Sequence, residues 1–233
     1  MKLSRDKANK IRHILDDWVP RSIRDSKLFM YVPFRMFFGN KYSLFMDFKE
    51  KAKSMSKEEF QKANYDSFDV LIDRATDLNE KCIDKIIADI AGKEVLEVGC
   101  GKGFLTDLIA TKGFVVTGVD LSVRHTKRNN LNITYLDGDI ENLNFRDNAF
   151  ETVVCTHTLE HVQNFDRAVA ELRRVTKKRL IIVVPMQKEF KYTFDLHLHF
   201  FSTIENFINR VCAKGKYECL NLDGDIYYRE DKS

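Results

Sequence analysis

The chain has 233 residues, of which 44% are apolar and 31% are charged, and its formal net charge is +3. This composition suffices for a hydrophobic core and for one domain with an additional segment. It excludes a membrane-spanning helix, because no apolar run approaches the roughly 20 residues that a span needs. We also expect no signal peptide, since residues 1–12 are charged.

The cysteines and the distribution of charge indicate a cytoplasmic protein with a polar substrate. The five cysteines form no C-x-x-C pair and are odd in number, so we expect reduced thiols in the cytoplasm. Residues 1–60 contain 14 Lys and Arg against 8 Asp and Glu, whereas residues 61–233 contain 24 against 27. A basic first segment favours a small polar or anionic substrate, although a solvated helical surface explains the charge equally well. We expect no membrane partner.

The first 90 residues show helical rather than strand periodicity. An aromatic cluster over residues 28–38 is interrupted by Pro33, and Ser56 to Glu59 form a capping box that predicts the start of a helix. Isoleucines over residues 83–90 form the apolar stripe of a further helix. The sequence therefore predicts an N-terminal helical cap over residues 1–90.

Apolar runs with strand character alternate with helical patterns in the rest of the chain. This alternation predicts an α/β domain with a doubly wound sheet over residues 91–233. A turn at Asp223-Gly224 predicts a closing hairpin. The five predicted parallel strands are 95–96, 115–120, 133–136, 150–155 and 179–184.

A glycine-rich turn follows the first of these strands. In Glu97-Val98-Gly99-Cys100-Gly101-Lys102-Gly103 a glycine occupies every second position, which lets the backbone approach a ligand closely. A dinucleotide site needs a glycine at the sixth position counted from Gly99, and Phe104 stands there, so that fingerprint fails. The pattern resembles motif I of the class I S-adenosylmethionine (SAM) methyltransferases.

This resemblance implies a Rossmann-like seven-stranded sheet whose last strand is antiparallel, with SAM as the cofactor. It also implies that the cap over residues 1–90 is a substrate lid and that residues 91–233 are the SAM-binding methyltransferase domain. Asp120, which ends the second strand, would accept the ribose hydroxyls. In the family an acid at the position of Asp139 faces the adenine amino group, and its apolar neighbour packs on the ring. The cofactor-binding residues implied in this way are Glu97, Gly99, Gly101, Gly103, Asp120, Leu121, Asp139, Ile140 and Thr156.

Histidines and a glutamate follow the fourth strand. His157, Glu160 and His161 have the i, i+3, i+4 spacing that predicts one helical face, and His199 follows farther along the chain. The pattern resembles the metal-dependent O-methyltransferases of ubiquinone biosynthesis and of small-RNA 2′-O-methylation, in which an E-x-x-E-H run binds a divalent ion. His157 stands where that run has its first glutamate.

Three interpretations of these residues stay open. In the first, His157, Glu160, His161 and His199 bind a divalent metal. Glutamates suit Mg²⁺, whereas more imidazoles favour Mn²⁺, Fe²⁺ or Zn²⁺. In the second, His157, His161 and His199 are catalytic without a metal, as a base with its orienting partners. In the third, the histidines are structural.

The predicted function is SAM-dependent methyl transfer to a hydroxyl or oxyanion of a small polar metabolite, such as a sugar, a polysaccharide precursor or a phosphorylated metabolite. The alternatives are an RNA 2′-O-methyltransferase and a non-catalytic SAM-binding regulator. A nucleic-acid partner is disfavoured, because the basic residues 173–179 are predicted at a helix end before a strand, where cations complement the helix dipole. No feature of the sequence indicates the oligomeric state.

Overall fold

The computed structural model describes residues 14–15, 18–52, 54–68, 75–124, 126 and 131–232, with the side chains of 64–68 left aside. The charged residues 1–12, from which we expected no signal peptide, lie outside these ranges. The chain divides into two compact units. The first comprises Met1–Arg74 and Lys188–Leu198, and the second comprises Ala75–Gln187 and His199–Ser233.

The described part of residues 18–68 in the first unit is mainly helical, in keeping with the periodicity of the sequence, whereas residues 188–198 of this unit contain no helix. Its core contains buried aromatic and methionine side chains, among them Phe34, Phe45 and Phe48. At the predicted capping box, Glu59 N–H donates to Ser56 Oγ at 3.2 Å, and Ser56 N–H donates to the Glu59 carboxylate at 2.9 Å. The helices are α1 (Arg21–Arg24), α2 (Lys27–Phe38), α3 (Tyr42–Met46), α4 (Phe48–Ala52) and α5 (Lys57–Phe68), with a 3₁₀ turn at Gly39–Lys41.

Helix α2 continues through Pro33, which the sequence analysis took as an interruption of the aromatic cluster. Proline removes only one backbone donor from the ladder. Aromatic side chains on both sides of it pack against other rings. Before the proline, Tyr31 contacts Tyr42 edge-on at 5.2 Å between centroids, and after it Phe34 stacks on Phe194 at 4.8 Å. Packing of this kind outweighs the local preference of the proline.

The second unit contains a seven-stranded sheet with the strand order β3-β2-β1-β4-β5-β7-β6. The first five strands are parallel, and β7 is antiparallel to both of its neighbours. The predicted Rossmann-like doubly wound fold, with its last strand antiparallel, is confirmed. The strands are β1 (Glu94–Val98), β2 (Val115–Asp120), β3 (Ile133–Asp137), β4 (Phe150–Thr156), β5 (Thr176–Pro185), β6 (Lys216–Leu222) and β7 (Asp225–Asp231).

Helices cover both faces of this sheet. Successive strand residues point to opposite faces, so Val153 packs in one core cluster and Val154 in the other. The helices of the second unit are α6 (Glu80–Asp89), α7 (Phe104–Thr111), α8 (Phe165–Val175) and α9 (Ile204–Val211), with a 3₁₀ turn at Leu159–His161. Helices α6 and α7 bury their apolar residues in the second cluster, and α8 and α9 bury theirs in the first.

The unit boundary and the start of β5 differ from the sequence expectation. The sequence placed the boundary at residue 90, whereas the division falls at residue 74, because the apolar face of α6 packs into the sheet core.

Strand β5 begins at Thr176, so Lys178 lies within a strand and not at a helix end. Its ammonium pairs with the Glu151 carboxylate of β4 at 2.6 Å, which accommodates the charge at the sheet.

Within the described part of the chain, no helix is long and apolar enough to cross a bilayer.

Candidate functional site

The candidate cofactor site lies at the carboxyl ends of adjacent parallel strands. Strand β1 pairs with β2 on one side and with β4 on the other. Their following loops therefore meet at one edge of the sheet, which is the edge where ligands bind in doubly wound folds. The glycine-rich turn after β1, Asp120 at the end of β2 and His157 after β4 all lie at this edge.

The glycines of the turn have two different roles. Gly99, Gly101 and Gly103 all have positive φ, at +80°, +53° and +84°. A Cβ on Gly99 would overlap the Thr158 side chain, and one on Gly103 would overlap the Tyr135 hydroxyl. Only at Gly101 would a Cβ meet no atom within 4 Å. The glycine spacing predicts ligand approach at all three positions, but Gly99 and Gly103 are needed for packing within the protein.

Asp120 is bound to the backbone of the glycine-rich turn. Its Oδ2 accepts the Gly101 N–H at 2.8 Å. Burial raises the pKa of Asp120, and hydrogen bonds from backbone N–H groups oppose that rise. Asp137, at the end of β3, accepts the Val123 N–H at 2.9 Å in the same way. These contacts fix the loops after β1 and β2 relative to each other, with Gly101 facing open space beside the acid.

Glu97 lies in the interior below the turn and is only 2% exposed. Its carboxylate accepts a hydrogen bond from the Thr106 hydroxyl. Burial raises the pKa of Glu97 to about 8, with the charges of Asp120 and Asp107 adding to the effect. Burial therefore favours the neutral form of Glu97, and a cationic group bound nearby would favour the ionised form.

The other predicted cofactor residues surround this edge. Asp139 follows β3, and its Oδ1 accepts the Glu141 N–H at 2.8 Å. Ile140 is buried in the sheet core, whereas Leu121 is 44% exposed. Thr156 ends β4, and its carbonyl accepts the Thr158 hydroxyl at 2.9 Å. The role of these residues in binding SAM stays a prediction.

His157 has an unusual backbone and lies between two carboxylates. Its φ is +47°, which is rare for a residue with a side chain, and its N–H donates to the Val183 carbonyl at 2.9 Å. Its Nδ1 lies 3.5 Å from a Glu160 oxygen, and its Nε2 lies 3.5 Å from Asp225 Oδ2. Burial disfavours the imidazolium, but the two carboxylates outweigh it and raise the pKa of His157 to about 9.

Asp225 is a site residue that the sequence analysis missed. It begins β7 and follows the hairpin turn, where an acidic residue reads as ordinary turn chemistry. Its Oδ2 accepts a hydrogen bond from Asn79 Nδ2 at 2.9 Å. Asn79 caps α6, because its Oδ1 accepts the Cys82 N–H at 2.9 Å. The first turn of α6 thus holds the carboxylate that faces His157.

His157, Glu160 and His161 do not form one helical face, and His199 lies farther along the chain. Residues 159–161 form a single 3₁₀ turn, and His157 precedes it in a left-handed conformation, so the predicted helical face is wrong. His199 Nε2–H donates to the Val162 carbonyl at 2.9 Å, which leaves Nδ1 as the acceptor nitrogen. Burial lowers the pKa of His199, and the ring centroid lies 5.3 Å from that of Phe165. His199 is therefore neutral at pH 7.

The predicted metal ligands fit a divalent ion only in part. A ligating imidazole must be neutral and must direct a lone pair at the ion. His157 has both nitrogens directed at carboxylates and is protonated at neutral pH, so it does not fit as a ligand in this arrangement. The divalent metal stays a prediction, and we derive no chemical step from it.

The exchange Asp225→Asn tests the charge balance around His157. Removing one of the two carboxylates should lower the pKa of His157 from about 9 toward its ordinary 6.5. Because the folded-state pKa is raised, this group stabilises the fold fully below pH 6.5, and the stabilisation is lost as the pH rises through 9. We therefore expect the variant to be less stable below pH 6.5 and close to wild type above pH 9, measured by urea denaturation and by NMR titration of the ring.

The matched control for that exchange is Asp223→Asn. Asp223 lies two residues earlier, is exposed and pairs with Lys81 at 2.7 Å. The exchange Asp223→Asn should leave the pKa of His157 unchanged. An unaltered His157 pKa in Asp225→Asn would show that Asp225 does not act on the ring.

A family model described as a methyltransferase domain matches residues 96–184, from within β1 to near the end of β5. Residues 96–184 are a methyltransferase domain. The resemblance to the class I SAM-dependent methyltransferases is thereby confirmed.

Curated relatives of this domain include ubiquinone biosynthesis O-methyltransferases. The protein of Coxiella burnetii (strain Dugway 5J108-111) is 37% identical over 95 residues, which are 38% of this chain and 41% of that protein. The protein of Rickettsia canadensis (strain McKiel) is 30% identical over 127 residues, which are 50% of this chain and 53% of that protein. The chain thus spans about half or less of the length of these relatives.

Solved structures with the same fold have low sequence identity. A protein from Pyrococcus horikoshii OT3 has a TM-score of 0.56 and 17% identity, with 77% of this chain and 100% of that chain covered. A SAM-dependent methyltransferase from Thermotoga maritima, described as a possible histamine N-methyltransferase, has a TM-score of 0.51 and 19% identity, with 65% and 88% covered. At such identity these structures support the fold alone.

Proposed function

We propose that this chain transfers the methyl group of SAM to a hydroxyl group of a small polar acceptor in the cytoplasm. The observation that carries the proposal is the turn after β1, where Gly101 faces open space beside Asp120. The matched curated relatives are named O-methyltransferases, which supports an oxygen acceptor. The unequal charge of the chain, with its basic first 60 residues, supports a polar or anionic acceptor.

The residues of the turn fit SAM by shape and by charge. Gly101 leaves room for a ligand to pass, because no atom occupies the space that a Cβ would fill. Asp120 offers its carboxylate for ribose hydroxyls, as acids at this position do in doubly wound folds. Glu97 lies directly before the turn, where its carboxyl group can respond to a cationic amino acid moiety by losing its proton. When bound, SAM supplies a methyl carbon whose bond to sulfur breaks as the bond to the acceptor oxygen forms.

His199 is the residue best suited to take the acceptor proton. A hydroxyl needs a base, because the alkoxide is the better nucleophile. His199 is neutral at pH 7, and its hydrogen bond to the Val162 carbonyl fixes the tautomer so that Nδ1 has the lone pair. His157 is unsuited as a base at neutral pH, because it already holds its proton between Glu160 and Asp225. In the proposal His157 is a fixed positive charge that lies between these two carboxylates.

The exchange Asp120→Ala tests cofactor binding at the acid. We expect SAM affinity to fall about tenfold or more, since a hydrogen-bonded carboxylate contributes about 1.5–3 kcal/mol. Calorimetry of SAM binding measures the effect. Because Asp120 also holds the Gly101 N–H, the conservative Asp120→Asn variant should fold like wild type and bind with intermediate affinity. Unchanged affinity in both variants would contradict the assignment of Asp120.

The acceptor is tested by mass spectrometry of reaction products. The full chain and SAM are incubated with nucleotide sugars, phosphorylated metabolites, small phenols and short RNAs. Methylation of a small polar hydroxyl compound supports the proposal, whereas methylation of RNA alone would support a 2′-O-methyltransferase. SAM binding without any turnover on the panel would favour the non-catalytic SAM-binding protein instead.

A further inference from the structure

The first unit exposes an apolar helix face that its own core leaves uncovered. Only Lys27 and Arg35 are charged among the 12 residues of α2, and the others are apolar or aromatic. Met30 and Phe34 are fully buried on one side. On the other side Leu28, Val32 and Met36, spaced four residues apart, are 85%, 57% and 78% exposed. A helix that is apolar all round normally has both faces covered, so this second face has the character of a binding surface.

Exposed apolar side chains are concentrated in the segment of the chain that contains this face. Of the 14 large apolar side chains that are exposed in the described part of the chain, eight lie within residues 14–36. Trp18 is one of them and is 81% exposed. The other six are spread over residues 104–217, where single exposed apolar residues need no explanation. Exposed apolar residues of α2 itself form one surface, which we call the α2 face: Leu28, Tyr31, Val32 and Met36.

Positive charge accompanies the α2 face. Residues 18–41 contain five Lys and Arg and a single acid, Asp25. Arg24 is buried, and the four exposed cations are Arg21, Lys27, Arg35 and Lys41. Arg21 pairs with Asp25 at 3.4 Å and Lys27 with Asp47 at 3.5 Å, and both cations stay largely exposed in these pairs. A second copy of the chain that docked through the same face would bring these like charges together. An anionic surface would neutralise them, so the charge favours an anionic surface over a second copy of the chain as the occupant.

We propose that the α2 face binds the surface of an anionic phospholipid membrane without crossing it. The apolar stripe Leu28, Val32 and Met36 would enter the boundary between headgroups and acyl chains. Tyr31 is of a residue type that prefers that boundary, and the lysines and arginines would meet anionic headgroups. The expectation of no membrane partner rests on the lack of an apolar run long enough to span a bilayer. Binding at the membrane surface does not require such a run. The proposal rests on the first unit alone and is independent of the proposed methyl transfer.

The test is co-sedimentation of the full chain with lipid vesicles. Vesicles of phosphatidylcholine with phosphatidylglycerol should bind the chain about tenfold or more tightly than phosphatidylcholine alone, and high salt should weaken the binding. The variant with Leu28→Ser, Val32→Ser and Met36→Ser should lose about tenfold in affinity. These side chains are exposed, so circular dichroism should show an unchanged fold.

A matched control makes the same number of exchanges on exposed apolar residues of the second unit. Val115, Leu131 and Leu136 are 53%, 105% and 41% exposed, and the triple serine variant at these positions should bind vesicles like wild type. Absence of binding to anionic vesicles would overturn the proposal, as would equal binding by the α2-face variant. A dimer in sedimentation velocity that only the α2-face variant dissociates would also overturn it and assign the face to a second copy.

Discussion

The variant Gly101→Val should bind SAM at least about 100-fold more weakly than wild type, a loss of about 2.7 kcal/mol. Gly101 is the one glycine of the turn whose missing side chain leaves open space, and a valine would fill that space. Its φ of +53° adds strain for a β-branched residue and disturbs the N–H that donates to Asp120 at 2.8 Å. Isothermal titration calorimetry with SAM measures the loss.

A control variant must separate the effect of backbone strain on SAM affinity from the effect of filling the space beside Gly101. Gly113 provides the matched control, because it also has a positive φ, +89°, and no atom within 4 Å of a built Cβ. It precedes β2 and so lies at the opposite edge of the sheet from the turn. Gly113→Val should lower the melting temperature about as much as Gly101→Val while leaving SAM affinity intact. If the two variants bound SAM with equal affinity, the turn after β1 would not be part of the cofactor site.

The variant His199→Gln should lower kcat by about 100-fold or more, while SAM affinity and the fold stay as in wild type. General-base catalysis contributes about 10²–10⁴-fold, and glutamine has no basic nitrogen to replace Nδ1. The glutamine amide can still donate to the Val162 carbonyl, as His199 Nε2–H does at 2.9 Å. The variant therefore removes the base and keeps the structural hydrogen bond.

The pH dependence of the reaction gives a second measurement of the same residue. Burial lowers the pKa of His199 below its ordinary 6.5. A base must be neutral to act, so kcat/KM of the wild type should be constant near pH 7 and fall as the pH drops below that pKa. The acid limb of the profile should be missing in His199→Gln. A variant with wild-type kcat and an unchanged acid limb would show that His199 is structural.

Motifs whose residues lie close together in the chain were predictable from the sequence. The β1-turn-helix pattern, with Glu97 before the glycines and Asp120 ending the next strand, was predictable because buried parallel strands read as apolar runs. The capping box at Ser56 was predictable because both of its hydrogen bonds join residues three apart. Prediction was less accurate where packing outweighed a local signal, as at Pro33 inside α2 and at the start of β5.

By itself, the sequence determined the fold class, the order of the strands along the chain and the sheet edge at which the predicted cofactor residues lie, because these follow from periodicity and from short motifs. Only the tertiary structure decided which glycine faces open space, since Gly99 and Gly103 are distinguished from Gly101 by side chains 59 and 32 positions away, those of Thr158 and Tyr135. It also decided the partners of His157. Asp225 reaches that ring because β7 inserts beside β5, and antiparallel pairing across the sheet joins residues that no local pattern connects.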